Sequence, residues 1–334
     1  MVNESDRIQR LWVADIGGTN CRLALFSFEH SSLSLEKNIW VKTSDVCNAA
    51  TLSSSLYDCF HDTGSPDGLA IAVAGPVSCG MASLTNASLH LTVDALRASL
   101  ALPTLPLLLL NDFVAQAYAT ATCVGENAQS IRKGNRKASG IRAVLGAGTG
   151  LGCALLKKGG CLEGIASEGG HMPFPFLTDW EWRYAKWLQE ELGRDMIEAE
   201  DVLSGRGLER LHMFLLGKKR DAQAIGSLFL QSESELLSHF ARFYARFAHM
   251  WMLATCCTEG LWICGGIAQR NPLLLTCAAF HQELTQRQKN TWLSAIPIFL
   301  FTDKNAGLWG AAKALLAGRD RFLLIPHKGR SFFS

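Results

Sequence analysis

Residues 11–28 read L-W-V-A-D-I-G-G-T-N-C-R-L-A-L-F-S-F, and this stretch predicts how the fold begins. Two short apolar runs, residues 11–16 and 21–28, are typical of strands. The four residues between them, G-G-T-N, are the kind that form a tight hairpin turn. The stretch therefore predicts two antiparallel strands with polar groups gathered at the turn.

The same arrangement occurs again at residues 142–156, which read R-A-V-L-G-A-G-T-G-L-G-C-A-L-L. We interpret the two copies as an internal duplication, with one glycine turn in each of two lobes. In the first lobe, further strands are predicted at residues 69–74 and 105–110, and helices at about 49–61 and 93–100. Strands that alternate with helices favour an α/β fold.

The second half of the chain is mostly helical in pattern. Residues 234–255 place apolar and aromatic side chains three and four positions apart, which predicts a helix facing a core or another subunit, not a cofactor. A third glycine pair, Gly265 and Gly266, ends an apolar strand that begins near residue 261. The chain then closes with a turn and an alanine-rich helix at about residues 307–316.

Length and composition predict a globular protein of two domains. The 334 residues are more than one ordinary core needs, and 48% of them are hydrophobic while 19% are charged. The net charge is only +2, and the basic run at residues 132–142 is most simply a solvated loop, so no nucleic-acid partner is expected. No apolar run is long enough to span a membrane, and a cytoplasmic location without a membrane partner is expected.

The eleven cysteines are scattered through apolar segments and include no C-x-x-C pair. In such segments cysteine acts as a small hydrophobic residue, so we expect thiols in a reducing compartment. The same spacing predicts no structural metal site.

Three glycine-rich turns at strand ends are more than packing normally requires, because glycine contributes no side chain to a core. Turns of glycine and threonine present N–H groups to phosphate oxygens, so a nucleotide triphosphate is the expected ligand. The P-loop pattern is absent, and neither residues 14–20 nor residues 146–152 satisfy G-x-G-x-x-G. Dinucleotide binding is therefore disfavoured.

Six motifs, in this order along the chain, resemble those of the bacterial-type glucokinases, ATP-dependent hexokinases without the zinc motif. They are A-D-I-G-G-T-N-C-R (14–22), N-D-F-V-A-Q-A (111–117), G-A-G-T-G-L-G (146–152), S-E-G-G-H (167–171), E-D-V-L-S-G-R-G-L (200–208) and C-G-G-I-A (264–268). The resemblance implies an α/β, two-lobed, actin-like ATPase (ribonuclease H-like) fold with a duplicated α/β core and a central cleft. It also implies a small domain of residues 1–111 plus 303–334 and a large domain of residues 112–302.

The implied reaction is the ATP-dependent phosphorylation of D-glucose to glucose 6-phosphate, the first step of glycolysis. A kinase for mannose, fructose or an amino sugar is the alternative, and a non-catalytic sugar sensor of the same fold is a weaker one. A homodimer is expected, with the aromatic-rich part of the helix at residues 234–255, near Phe240 to Trp251, suited to its interface. Two prolines at residues 173–176 replace the usual sequence after the E-G-G-H motif, which affects the rim of the expected sugar pocket.

The resemblance assigns ATP to the three glycine turns: Ala14, Asp15, Ile16, Gly17, Gly18, Thr19, Gly148, Thr149, Gly150, Gly265 and Gly266. Asp15 would hold Mg²⁺ through water, because a carboxylate beside a polyphosphate repels it unless a cation intervenes. A carboxylate that merely caps the turn is the competing interpretation of Asp15.

The expected sugar ligands are Asn111, Asp112, Glu168, His171 and Glu200. Asp112 would be the catalytic residue, a general base that accepts the proton of the sugar hydroxyl. Structural alternatives remain open: Asn111 and Asp112 could cap a helix, His171 could be a core histidine, and Glu200 could be a helix-initiating acid.

Overall fold

The computed structural model describes residues 8–84, 89–286 and 291–322. Its strands are β1 (Gln9–Ile16), β2 (Asn20–Glu29), β3 (Ser32–Lys42), β4 (Gly68–Val73), β5 (Val77–Ser78), β6 (Met81–Ser83), β7 (His90–Thr92), β8 (Leu107–Asn111), β9 (Gln129–Arg132), β10 (Arg142–Ala147), β11 (Leu151–Lys158), β12 (Leu162–Ser167), β13 (Gly260–Cys264) and β14 (Ile298–Leu300). Its helices are α1 (Ala49–Phe60), α2 (Val93–Leu100), α3 (Asp112–Ala119), α4 (Cys123–Glu126), α5 (Asp179–Leu192), α6 (Ala199–Val202), α7 (Gly205–Leu216), α8 (Ala222–Phe229), α9 (Glu235–Thr255), α10 (Gly266–Arg270), α11 (Leu273–Thr276), α12 (Ala278–Gln286), α13 (Thr291–Ser294) and α14 (Ala306–Phe322). None of these helices is both long and apolar enough to cross a bilayer.

The chain folds into two compact units. The first holds the described residues up to Asn127, the short segment Gly159–Gly164 and the residues from Asp303 onward. The second holds the described residues of Ala128–Lys158 and Ile165–Thr302.

The first unit is built on a sheet with the strand order β3-β2-β1-β4-β8. Strands β1 and β2 form the predicted hairpin, with Ile16 opposite Cys21. Strands β1, β4 and β8 run parallel, and Val73 pairs with both Ile16 and Asn111. Because parallel strands end at the same edge of a sheet, the polar residues that follow β1 and β8 lie at one edge.

Helices cover both faces of this sheet. Alternate residues of β1 point to opposite faces, so Trp12 and Ala14 pack with α1 and α2, while Leu11 and Val13 pack with α14. Asp15 belongs to the α14 face, where a Cβ added to Gly307 would lie 2.6 Å from its carboxylate. The last described helix of the chain therefore borders the first glycine turn.

The second unit repeats this plan, as the sequence predicted. Its sheet has the order β12-β11-β10-β13-β14-β9, and β10 and β11 form an antiparallel hairpin. Strand β10 then pairs in parallel with β13, as β1 does with β4. Each unit thus contains a hairpin with a glycine turn joined to parallel strands.

Helix α9 lies in the core of the second unit. Phe240, Phe243, Tyr244 and Phe247 are all fully buried there, which confirms the interpretation of a core-facing helix. The expectation that these aromatic side chains would suit a homodimer interface was wrong, because the chain's own core already covers them. A homodimer itself stays a prediction.

Helix α3 is grouped with the first unit because it packs against α14. The contact is very close: a Cβ added to Gly310 would lie 1.7 Å from the carbonyl oxygen of Ala115. The first boundary between the units along the chain accordingly lies after Asn127, whereas the sequence analysis placed it after Asn111. The predicted domains, residues 1–111 plus 303–334 and residues 112–302, stay a prediction.

Gly310→Ala tests this helix contact. Alanine ordinarily stabilises a helix relative to glycine by about 1 kcal/mol, but here the methyl group must push α3 and α14 apart. We expect the free energy of unfolding to fall by about 2 kcal/mol, measured by urea denaturation. Gly160→Ala is the control, because no described atom lies within 4 Å of the added Cβ. Equal stability of the two variants would contradict the contact.

Candidate active site

The buried carboxylate of Asp15 is paired with an arginine of the neighbouring strand. Arg22 Nη2 donates to Asp15 Oδ2 at 2.6 Å, and the same guanidinium also donates to the carbonyl of Lys304. Burial raises the pKa of Asp15, and the Arg22 charge opposes that rise. Sequence reasoning missed Arg22, although the hairpin register pairs it directly with Asp15.

The first glycine turn is pinned by backbone and side-chain bonds. Gly17 N donates to Asn20 O at 3.0 Å, and Thr43 donates from its hydroxyl to Gly17 O and from its amide to Thr19 O. Gly18 is exposed, has no positive φ, and no described atom lies within 4 Å of where its Cβ would be. Packing within the chain therefore gives no reason for glycine at this position, and the backbone is open to a ligand.

Asn111 and Asp112 stand where strand β8 meets helix α3. Asn111 is the N-cap, since its Oδ1 accepts from the amides of Phe113 and Val114 while its Nδ2 donates to Gly75 O. The capping alternative is thus correct for Asn111. Asp112 is the first residue of the helix, and its Oδ1 accepts from Phe113 N at 2.9 Å.

The carboxyl of Asp112 has an unusual proton affinity. Burial, followed by the negative charge of Asp15, raises its pKa to about 7. A carboxylate that titrates near neutral pH can both hold and release a proton under ordinary conditions. This is the property expected of a general base.

The second glycine turn, between β10 and β11, closes with a bond from Gly148 N to Gly150 O. The neighbourhood of Gly148 is as open as that of Gly18, with no described atom within 4 Å of an added Cβ. Gly150 differs, because an added Cβ would lie 2.5 Å from Glu200 Oε2. That same oxygen accepts from Leu151 N at 2.9 Å, so glycine at position 150 makes room for the carboxylate.

His171 ends a single turn of 3-10 helix, Gly169–His171, and its side chain is 53% exposed. The alternative of a core histidine is therefore wrong. Its Nδ1 lies 2.9 Å from Glu198 Oε2, and its Nε2 lies 3.7 Å from Glu168 Oε2. The hydrogen bond with Glu198 is the main cause that raises the pKa of His171. Glu198 was not among the predicted site residues.

Glu168, His171 and Glu200 are brought together within the second unit. Gly170 packs against β11 at Leu151. Glu200 binds the amide of that same residue. Glu200 lies in the first turn of α6, as the helix-initiating alternative predicts. Its carboxylate, however, points back to the second glycine turn, where it accepts from Leu151 N.

A cavity of about 550 Å³ lies within the second unit, between the second and third glycine turns. Three predicted residues line it: Gly148, Thr149 and Gly266. Residues of α7, α8 and α10, together with Asn271 just after α10, complete the wall; sequence reasoning missed Gln223, Ser227, Arg270 and Asn271.

Gly265 does not line this cavity but shapes the turn from β13 into α10. It has a φ of +85°, and an added Cβ would lie 2.5 Å from the carbonyl oxygen of Ala147. Only glycine meets both requirements without strain.

The family model for glucokinase matches residues 12–317. The chain belongs to the glucokinase family. A glucokinase from Pseudomonas paraeruginosa is 30% identical over 92% of this chain and 93% of its own length. One from a Caulobacter species is 31% identical over 91% of this chain and 94% of its own length.

The crystal structure of a glucokinase from an Antarctic psychrotroph superimposes with a TM-score of 0.80. It shares 28% sequence identity, and the match covers 93% of this chain and 99% of that one. The fold is therefore the actin-like ATPase fold of these kinases, and the predicted fold class is confirmed.

Alanine at the two glycines of the second turn should have different effects. Gly150→Ala displaces the Glu200 carboxylate and breaks its bond to Leu151 N, so we expect the free energy of unfolding to fall by about 1–2 kcal/mol. Gly148→Ala is the matched control, and its change should stay within about 0.5 kcal/mol. Urea denaturation measures both values, and equal losses would contradict the stated role of Gly150.

Proposed function

We propose that the protein is an ATP-dependent glucokinase that converts D-glucose to glucose 6-phosphate. The observation that carries this proposal is the glucokinase family match over residues 12–317. The site supports it, since a carboxyl with a pKa of about 7 stands at Asp112, where the family's general base is expected.

ATP would bind at the glycine turns. The cavity of about 550 Å³ has the size of a nucleoside site, and Gly265 and Gly266 form the turn at its edge. In the second unit, Gly148, Thr149 and Gly150 would lie against the phosphates, with the amide and hydroxyl of Thr149 as the proposed donors, because Gly148 N already donates to Gly150 O. In the first unit the assigned residues are Ala14, Ile16, Gly17, Gly18 and Thr19, with the amides of Gly18 and Thr19 as the proposed donors, and the open backbone at Gly18 supports the assignment. Ala14 and Ile16 are buried in β1 and Gly17 N already donates to Asn20 O, so these residues would shape the turn.

The residues of the first turn fit Mg²⁺ held through water. Asp15 offers a hard oxygen ligand, and Arg22 balances its charge in the buried site. No three of the described His, Cys, Asp and Glu side chains cluster as a metal site of protein ligands alone would require. When bound, the ion would neutralise charge on the phosphates, with Asp15 as its ligand through water.

Asp112 would accept the proton of the sugar 6-hydroxyl as the oxygen attacks the γ-phosphate. Asn111 holds the strand-to-helix turn that carries this carboxyl, and it would also contact the sugar. Glu168, His171 and Glu200 would bind the other hydroxyls. Glu200 has one oxygen committed to Leu151 N, which fixes the carboxylate in place for a sugar.

Initial rates with a coupled assay for ADP test the substrate. We expect D-glucose to give the highest kcat/KM in a panel with mannose, fructose and glucosamine, all with MgATP. A preference of about tenfold or more for another hexose would refute the substrate but not the kinase class. No ADP formation with any sugar would favour the sensor alternative.

Asp112→Asn tests the proposed base. The amide keeps the shape but cannot accept the proton, so kcat should fall by about 10²–10⁴-fold. The dissociation constant for ATP, measured by calorimetry, should change little. Asp94→Asn is the matched control, because Asp94 is an exposed acid in the first turn of α2. Retention of most activity in Asp112→Asn would overturn the assignment.

The pH dependence follows from the same carboxyl. The base works only when ionised, and its pKa in the free protein is about 7, so kcat/KM for glucose should fall about tenfold per pH unit below that value. Rates measured from about pH 5 to about pH 9 should show this acid limb and a plateau above it. The residual activity of Asp112→Asn should lack the limb, and a flat wild-type profile would exclude titration of Asp112.

A further inference from the structure

The side chain of Glu198 faces His171 from the start of helix α6. Its Oε2 lies 2.9 Å from His171 Nδ1. A neutral imidazole carries one hydrogen, on either nitrogen, and a carboxylate at Nδ1 holds that hydrogen there. While the ring is neutral, at pH values above its raised pKa, the other nitrogen, Nε2, is then the acceptor.

Glu198 is itself held from several sides. It is the N-cap residue of α6, its amide donates to Asp201 Oδ2 at 2.9 Å, and it forms a β-bridge with Pro173. Its second oxygen, Oε1, lies 3.3 Å from Arg194 Nη1. The side chain of Glu198 is 19% exposed, and its contacts with His171 and Arg194 orient the carboxylate.

The second nitrogen of the ring, Nε2, lies near another predicted sugar ligand. Glu168 lies 3.7 Å from Nε2, and Glu200 also contributes its charge at the ring. The charged groups around His171 are therefore Glu168, Glu198 and Glu200, with Arg194 behind Glu198. Three carboxylates therefore surround one histidine, and the tautomer of the ring decides whether its Nε2 donates or accepts a hydrogen bond.

We propose that Glu198 is a positioning residue of the sugar site, which fixes the ring and tautomer of His171 so that Nε2 meets a sugar hydroxyl. The proposal rests on the proposed function, in which His171 is a sugar ligand. It assigns Glu198 no contact with the sugar. Its carboxylate holds the hydrogen of the neutral imidazole on Nδ1 and so selects one of the two tautomers of His171.

Two substitutions separate orientation from charge. Glu198→Gln keeps an oxygen that can accept from Nδ1, so the dissociation constant for glucose should stay within about threefold of wild type. Glu198→Leu removes the acceptor, and the constant should rise by about tenfold or more, as when the partner of a ligating histidine is lost. The value of kcat at saturating glucose should change less than the affinity in both variants.

Nitrogen-15 NMR of the imidazole gives a readout that a purely structural role would not change. Wild type and Glu198→Gln should show the Nδ1–H tautomer of His171 above its pKa, and Glu198→Leu should show Nε2–H. The signal is assigned by its loss in His171→Asn. Glu191→Gln is the control, because it removes an exposed surface carboxylate of the neighbouring helix α5.

The outcomes are distinguishable. An unchanged tautomer and an unchanged glucose affinity in Glu198→Leu, with a normal thermal midpoint, would overturn the proposal. If Glu198→Leu does not fold, loss of affinity in Glu198→Gln equal to that of His171→Asn would overturn it. If the tautomer changes but His171→Asn binds glucose normally, the sugar role of His171 fails and the proposal is overturned, although the pairing of Glu198 with His171 stands.

Discussion

The positions of His171 and Glu200 in the second unit depend on one close backbone contact, between Gly170 and strand β11. An added Cβ at Gly170 would lie 2.0 Å from the carbonyl oxygen of Leu151, so no other residue permits this approach. The amide of Leu151 donates to Glu200 Oε2 at 2.9 Å. A single residue of β11 thus positions the turn that carries His171 on one side and the carboxylate of Glu200 on the other.

The loop that follows His171 is anchored by a buried charge. Arg246, on helix α9, donates to the carbonyl of Pro175 and to the carboxylates of Glu181 and Glu283. Phe174 and Phe176 pack beside it in the aromatic core. In this loop the two phenylalanines are buried, whereas Pro173 is exposed and Pro175 half-buried, so the aromatic side chains and the bond from Arg246 hold the loop to the core.

The hairpins, the helix α9 and the strand-to-helix turn at Asn111 could all be predicted, because apolar periodicity and glycine turns are local signals. Arg22, Glu198 and Arg270 could not, since each reaches its site only through strand register or tertiary packing. Gly150 was predicted as a phosphate contact, and only the structure shows the carboxylate that requires its lack of a side chain. Local patterns thus identified the turns, whereas packing decided which side chains meet there.

The first unit is assembled from both ends of the chain, and this affects the order in which the protein is made. Leu308, Ala311 and Leu315 of α14 cover a sheet face formed by residues near the N-terminus. On the ribosome, that apolar face stays uncovered until the whole second unit has emerged. Apart from the short segment Gly159–Gly164, the second unit is one continuous stretch of the chain. It can therefore fold before α14 has been synthesised. Helix α3, with Asp112 at its start, obtains its packing partner only after the second unit has been synthesised.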